Sequence, residues 1–360
     1  MCSLPDTFVE GFHDVESVKL MKYNRLGQTD LIVSLLGFGG SQMTRSVMKT
    51  SIIPGQEPGI EALREAIKSG VNYIDTAPLY SAGKAEIVMG KALESIPRKA
   101  YYIASKVGRT HNCEFDYSSE AVLRTFEESL RRLKLDYFDV VHVHDVEYAD
   151  FNILLSETLP TLNKLRCEGK VRYVAINGYP VDILRELIEK SAIKIDIVQS
   201  YCRCTLFDNT LLDYLPFFQE NGLGVINAAP LGMGLLTKNK VSPWHPAKVE
   251  TVKACEEASQ FCSNQDVDIS RLALNHAFET SGIATHIIGL NDVKLLRENL
   301  HVLINGLNET EKKIGFEVKK HFDKLTTRNW EGVELAKYLQ NKFEFENNLR
   351  RKYIINAASR

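Results

Sequence analysis

Four side chains in this sequence are of the types that a proton-transfer site needs: Asp75 and Tyr80 in DTAPLY, Lys106 in ASK and His144 in VVHVHD. A tyrosine phenol, with an ordinary pKa near 10, carries protons poorly at neutral pH. A neighbouring ammonium favours the phenolate, and a carboxylate paired with that ammonium keeps it charged and in place. So equipped, Tyr80 can protonate a carbonyl oxygen as hydride arrives, or take the proton of an alcohol in reverse. His144 can hydrogen-bond the same oxygen and orient it. The chemistry calls for no metal, because a hydride-carrying cofactor does the redox work. Each residue alone also has an ordinary explanation: a turn cap, a loop aromatic, a lysine reaching solvent, a core histidine. Their placement is what sets them apart, at or just beyond the ends of three successive apolar runs.

Those runs belong to a longer series. LIVSLLGFG (31–39), VNYIDTA (71–77), YYIASK (101–106), YFDVVHVH (137–144), VRYVAI (171–176), IDIVQS (195–200), LGVINAA (223–229) and THIIGL (285–290) recur along the chain. Most are nearly continuous in hydrophobicity, as parallel strands buried on both faces are. Segments with helical period lie between them. In SSEAVLRTFEESLRRLKL, Val122, Phe126, Leu130 and Leu133 share a face, and Ser118 or Ser119 supplies an N-cap. In ETLPTLNKLRCEGK, Leu159, Leu162 and Leu165 form a stripe that stops at Gly169, and Asp292 is placed to cap DVKLLRENLHVL. Eight β-α units predict an α/β fold, a closed (β/α)₈ TIM barrel, with an open doubly wound sheet as the alternative. Barrel active sites lie at the C-terminal strand ends, where Asp75, Lys106 and His144 fall.

Composition narrows the classes of function. The 360 residues are 44% hydrophobic and 25% charged with a formal net charge of -2. That balance makes no electrostatic case for nucleic acid or an anionic membrane. No apolar stretch reaches the roughly 18 residues of a membrane span, and the first 20 residues lack a signal-peptide core. Seven scattered cysteines suggest reduced thiols and a cytoplasmic protein; Cys202 and Cys204 form a C-x-C pair without a second ligand pair, so no metal is expected. The expected organisation is a weakly ordered N-terminal extension (1–20), the barrel (21–330) and a charged C-terminal extension (331–360), read as a solvated tail or terminal helix with a basic end. The oligomeric state reads as monomer or homodimer.

DTAPLY, ASK and the D-x₄-H of DVVHVH resemble the catalytic signatures of the aldo-keto reductase superfamily, over about residues 21–330. The spacing from Asp139 selects His144 rather than His142; strand alternation puts His142 on the same face, one layer deeper. The resemblance implies NAD(P)-dependent oxidoreduction with Asp75, Tyr80, Lys106 and His144 as the catalytic group. It also implies cofactor contacts: Gly39 of GFGGS near the nicotinamide, Gln199 and Asn177 on its carboxamide, and Glu298 with Asn299 at adenine. Within APLGMGLL, the backbone of Pro230, Leu231, Gly232, Gly234 and Leu235 would hold the pyrophosphate. Three positions depart from the family pattern. Asn177-Gly178 replaces the frequent Ser-Asn, Ala228 stands where an aromatic commonly stacks on nicotinamide, and Leu295 replaces a basic or polar residue. Asp292 would repel a 2′-phosphate, which favours NAD, while Lys294 and Arg297 leave NADP open.

HDVE after the catalytic strand, SYCRCTLFDN and PWHPA are similar to the L-galactose dehydrogenase and D-threo-aldose 1-dehydrogenase branch. That likeness implies oxidation of an aldose at C1 to a lactone, with Trp244 and His245 of PWHP as substrate contacts. Reduction of aldehydes or ketones with NADPH uses the same residues and is the alternative. A non-catalytic, cofactor-holding regulatory subunit is a third reading, against which the intact tetrad stands.

Overall fold

A computed structural model describes residues 4–44, 58–112 and 114–343. Eight parallel strands close into a barrel: β3 (Leu36–Gly39), β4 (Tyr73–Asp75), β5 (Tyr102–Val107), β6 (Phe138–Val143), β7 (Val171–Gly178), β8 (Ile197–Tyr201), β9 (Gly224–Ala228) and β10 (Thr285–Gly289). Each pairs with its sequence neighbour, and β10 pairs with β3 to shut the ring. The closed barrel is the predicted architecture, and the open sheet is excluded.

The first apolar run does not form one strand. It divides at Leu35 into β2 (Ile32–Ser34) and β3, and β2 pairs antiparallel with β1 (Tyr23–Arg25) in a separate hairpin. Leu26, Leu31 and Val33 of that hairpin join Tyr73, Tyr102, Val140, Ile197 and Ile226 in the barrel's interior core. The hairpin thereby closes the end opposite the catalytic face. Its turn lies so tightly on β9 that a Cβ at Gly27 would stand 2.2 Å from the Gly224 nitrogen, and Gly27 has φ +60°. Continuous hydrophobicity concealed this break, because both halves of the run are buried.

The helices follow their sequence signals. Helix Ser119–Leu133 starts at Ser118, whose hydroxyl accepts from the Ala121 amide, and buries Val122, Phe126 and Leu133. Gly169 ends its helical segment with φ +73°, and Asp292 accepts from the Leu295 amide at 2.8 Å to cap Val293–Asn305. The N-terminal segment, expected to be weakly ordered, is packed: helix Val15–Leu20 buries Val18, and Asn72 donates to Thr7 Oγ1 at 3.0 Å. Residues 333–343 are helical, whereas the basic end of the tail at 350–352 lies outside the described residues. Among the described residues no helix is long and apolar enough to cross a membrane.

Candidate active site

Three strand ends bring the four proton-bearing groups together. Asp75 is the last residue of β4, Lys106 lies next to last in β5, and His144 directly follows β6. Tyr80 stands in the loop after β4, where the Ala77 carbonyl accepts from its amide and Ser81 and Ala82 take positive φ to turn the chain into helix Lys84–Leu93. Lys106 Nζ donates to Asp75 Oδ1 at 2.5 Å and to the Thr76 carbonyl at 2.9 Å, with both side chains of the ion pair fully buried. The ammonium also lies 5.3 Å from the Tyr80 ring centre. The His144 ring meets the Tyr80 ring edge-on at 6.4 Å.

The electrostatics follow from that burial. Desolvation pulls the Lys106 ammonium down, but the Asp75 carboxylate and Tyr80 outweigh it, so the lysine is held charged above its ordinary value. Tyr80 is pushed up by burial, with Lys106 pulling the other way. The ammonium beside it was expected to win, and the dry site reverses the net direction. His144 is driven down to about 3, chiefly by burial, so it works as a neutral hydrogen-bonding ring. His142 sits fully buried beneath, with Nε2 3.9 Å from Asp75 Oδ2 and 3.5 Å from the Tyr73 hydroxyl. A phenol, an ammonium and a neutral imidazole around one opening can bind a carbonyl or carbinol oxygen and move one proton.

The residues expected to hold a dinucleotide are distributed around the same mouth. Gln199 and Asn177 are buried and in register across β7 and β8, and Gln199 Oε1 has no hydrogen-bond partner. Asn177 accepts from the Asp145 amide and donates to the Gln199 carbonyl. Asn299 Nδ2 is likewise buried without a partner, and Glu298 lines an open groove of about 550 Å³ with Lys294 and Arg297. An unpartnered carbonyl beside the tetrad and an unpartnered amide near the groove suit a nicotinamide and a purine. Gly39 lies at the end of β3, where a Cβ would come within 3.0 Å of the Ile288 carbonyl. After β9, Ala229, Gly232, Met233 and Gly234 all take positive φ, coiling Pro230, Leu231 and Leu235 into a tight loop. The amides of Gly232, Gly234 and Leu235 each close a turn within it.

A family model described as Aldo/keto reductase family matches residues 36–314. The chain belongs to that family. It is 37% identical to L-galactose dehydrogenase of Arabidopsis thaliana over 76% of this chain and 86% of that one. It is 31% identical to D-arabinose 1-dehydrogenase of Saccharomyces cerevisiae, over 79% and 88%. A holo-form aldo-keto reductase from Bacillus halodurans superposes with a TM-score of 0.66 at 25% identity, covering 83% of this chain and 96% of that structure. As an aldo/keto reductase the chain is an NAD(P)-dependent oxidoreductase.

Several residues around this reductase's mouth make contacts that their sequence motifs do not indicate. Arg109, in the loop after β5, donates to Asp145 at 2.7 Å, and Asp145 Oδ2 lies 3.7 Å from His144 Nε2. Glu147 reaches β7: its Oε1 accepts from the Tyr179 amide at 3.1 Å, and a Cβ at Gly178 would stand 2.7 Å from its Oε2. Gly178 therefore accompanies the HDVE glutamate, which explains that departure from the family pattern. Tyr201 ends β8 in register with Ala228, another departure. The signal available for all three was position at a strand end. Of the PWHP pair, Trp244 is 63% exposed. His245 uses both ring nitrogens within the protein, on the Gly232 carbonyl and the Ala247 amide.

Proposed function

We propose that this aldo/keto reductase oxidises an aldose at C1 to a lactone with NAD, using Asp75, Tyr80, Lys106 and His144 as its catalytic group. The observation that carries the reading is the buried Lys106–Asp75 pair against Tyr80, in a chain similar over most of its length to two sugar 1-dehydrogenases. When bound, the nicotinamide dinucleotide supplies the hydride acceptor. Tyr80, in its phenolate form, takes the anomeric hydroxyl proton while the C1–H bond breaks with its electron pair and C1–O becomes a carbonyl. Lys106, held charged by Asp75, stabilises that phenolate. His144, neutral, donates to the reacting oxygen and sets its direction. Gln199 and Asn177 would hold the carboxamide, Gly39 would border the nicotinamide, and residues 230–235 with Glu298 and Asn299 would hold the rest of the cofactor. Trp244 remains exposed for substrate contact, whereas His245 would act through the loop it braces.

The preference for NAD rests on the groove's charges. Lys294 lies 3.9 Å from Glu298, Arg297 donates to Glu65 at 2.9 Å, and Asp292 presents its carboxylate at the helix cap. Both cations that would greet a 2′-phosphate thus face a carboxylate. Steady-state kcat/KM with NAD and with NADP over a panel of aldoses, beside NADH and NADPH with simple aldehydes, tests both parts. Aldose oxidation with NAD at least tenfold ahead of NADP is expected. Fast NADPH-dependent aldehyde reduction with no aldose oxidised would overturn the reading.

A further inference from the structure

A neutral His144 can donate to the reacting oxygen or merely accept, depending on which ring nitrogen carries its single proton. The surroundings of the two nitrogens differ. Nδ1 is buried without a hydrogen-bond partner among the described residues. A proton there would make an orphaned buried N–H, which folded proteins avoid more strictly than an orphaned acceptor. Nε2 lies 3.7 Å from Asp145 Oδ2. That is too long for a direct hydrogen bond, yet in a dry site a carboxylate at this range attracts a proton strongly. Both effects favour Nε2–H, and the length of the contact leaves that N–H free for the reacting oxygen.

Asp145 is held firmly in this place. Its backbone takes φ +50° and ψ +59°, a left-handed conformation that aspartate and asparagine adopt more readily than other side chains do. Its amide donates to Asn177 Oδ1, and the His144 amide donates to the Val107 carbonyl at 2.9 Å. The Tyr117 hydroxyl donates to the carbonyls of His144 and Asp145, at 2.8 and 2.7 Å. Arg109, resting 5.0 Å over the Phe115 ring, donates at 2.7 Å to the same Oδ2 that faces His144. A lone carboxylate beside an imidazole would draw a second proton onto the ring. The Arg109 guanidinium and the Lys106 ammonium oppose this, so the carboxylate orders the ring without charging it. The other titratable groups around the ring are Tyr80 edge-on, His142 beneath and Tyr117 on the carbonyl.

We propose that Asp145 is a positioning residue for the reaction: it fixes the Nε2–H form of His144, while Arg109, clamped on the same oxygen, keeps that ring neutral. The proposal rests on the reading of His144 as the group that orients the reacting oxygen. It is tested on the full-length enzyme with nitrogen-15-labelled histidine, because long-range proton–nitrogen NMR spectra distinguish the two neutral tautomers. The His144 signals are those lost in His144→Gln. Wild type should show Nε2–H. Asp145→Asn tolerates the left-handed backbone and still offers Arg109 an acceptor, but its amide can donate to Nε2. It should shift the ring towards Nδ1–H and lower kcat for glyceraldehyde reduction by about tenfold to a hundredfold, the scale of one aimed donor. The NADH Kd, read by fluorescence titration, should stay unchanged. Arg109→Gln should keep Nε2–H and raise the pH at which His144 titrates by about one unit or more. Nδ1–H in wild type, or either an unchanged tautomer or an unchanged kcat in Asp145→Asn, overturns the role of Asp145 and leaves the proposed function intact. A His144 titration unmoved in Arg109→Gln overturns the part given to the arginine. Wild-type turnover in Tyr80→Phe, with the tautomers as expected, overturns the catalytic group and with it the part of Asp145 in turnover.

Discussion

Tyr80 shows how far a residue type prescribes its chemistry. A tyrosine between a lysine and a histidine suggests a tuned phenol, yet the sign of the tuning depends on water. Burial raises its pKa more than Lys106 lowers it, so the proton is well retained and reduction is served over a wide pH range. Oxidation needs the phenolate, so kcat/KM for alcohol oxidation should rise with pH through the alkaline range while that for carbonyl reduction falls. No inflection from His144 is expected between pH 5 and 9, because its imidazole titrates at about 3. Tyr80→Phe should reduce turnover by about a thousandfold or more, on the general acid–base scale, and leave cofactor binding, read by quenching of intrinsic fluorescence, nearly unchanged. A Phe variant with wild-type turnover would take Tyr80 out of the mechanism.

Loop and strand ends decide how the site is shaped. The segment Asp145–Glu147 is latched onto the end of β7 by the Tyr179 amide and by the close approach of Glu147 to Gly178. Glu147 is a buried carboxyl pushed up to about 8 by burial and by Asp145. A side chain at 178 must displace it, so Gly178→Ala should cost about 1–3 kcal/mol as an overpacking change. Glu147→Ala frees the space, and the double variant should be more stable than the sum of the single effects by about 1 kcal/mol, as contacting residues are. Thermal unfolding of the four proteins measures this coupling, and strict additivity would show that the two positions do not contact. HDVE and Gly178 are separate features of the sequence, and nothing local to either joins positions 31 residues apart.

For the molecule as a whole, burial of neutral histidines sets the response to acid. His144 and His286 are both driven down to about 3, chiefly by burial. In the unfolded chain they would titrate near 6.5, so below that pH the unfolded state binds more protons and stability falls as pH drops toward 3. Each contributes a loss of about 1.4 kcal/mol per pH unit in that window. The melting temperature should hold between pH 7 and 8 and fall steeply from 6.5 to 5. The double variant His144→Gln, His286→Gln should flatten that fall; an equally steep decline would place the acid sensitivity elsewhere.

Periodicity carried most of the architecture. Eight buried apolar runs alternating with capped helices suffice for a (β/α)₈ barrel, since parallel strands buried on both faces leave a simple pattern. The convergence of Asp75, Tyr80, Lys106 and His144 was legible too, because they fall at or just beyond strand ends and the residue types there are few. The division of LIVSLLGFG between a floor hairpin and β3 was not legible, since both parts are equally apolar. Nor was the place of the C-terminal segment: its charges read as a solvated tail or terminal helix, and residues 333–343 are helical with Tyr338 lying on two barrel loops. Hydrophobic period reports which face of an element is buried, but only the closed barrel determines which distant residues meet at its mouth. The same closure excludes the water on which an ordinary tyrosine pKa depends, so the types of the four converging side chains were a sequence property and their proton affinities a tertiary one.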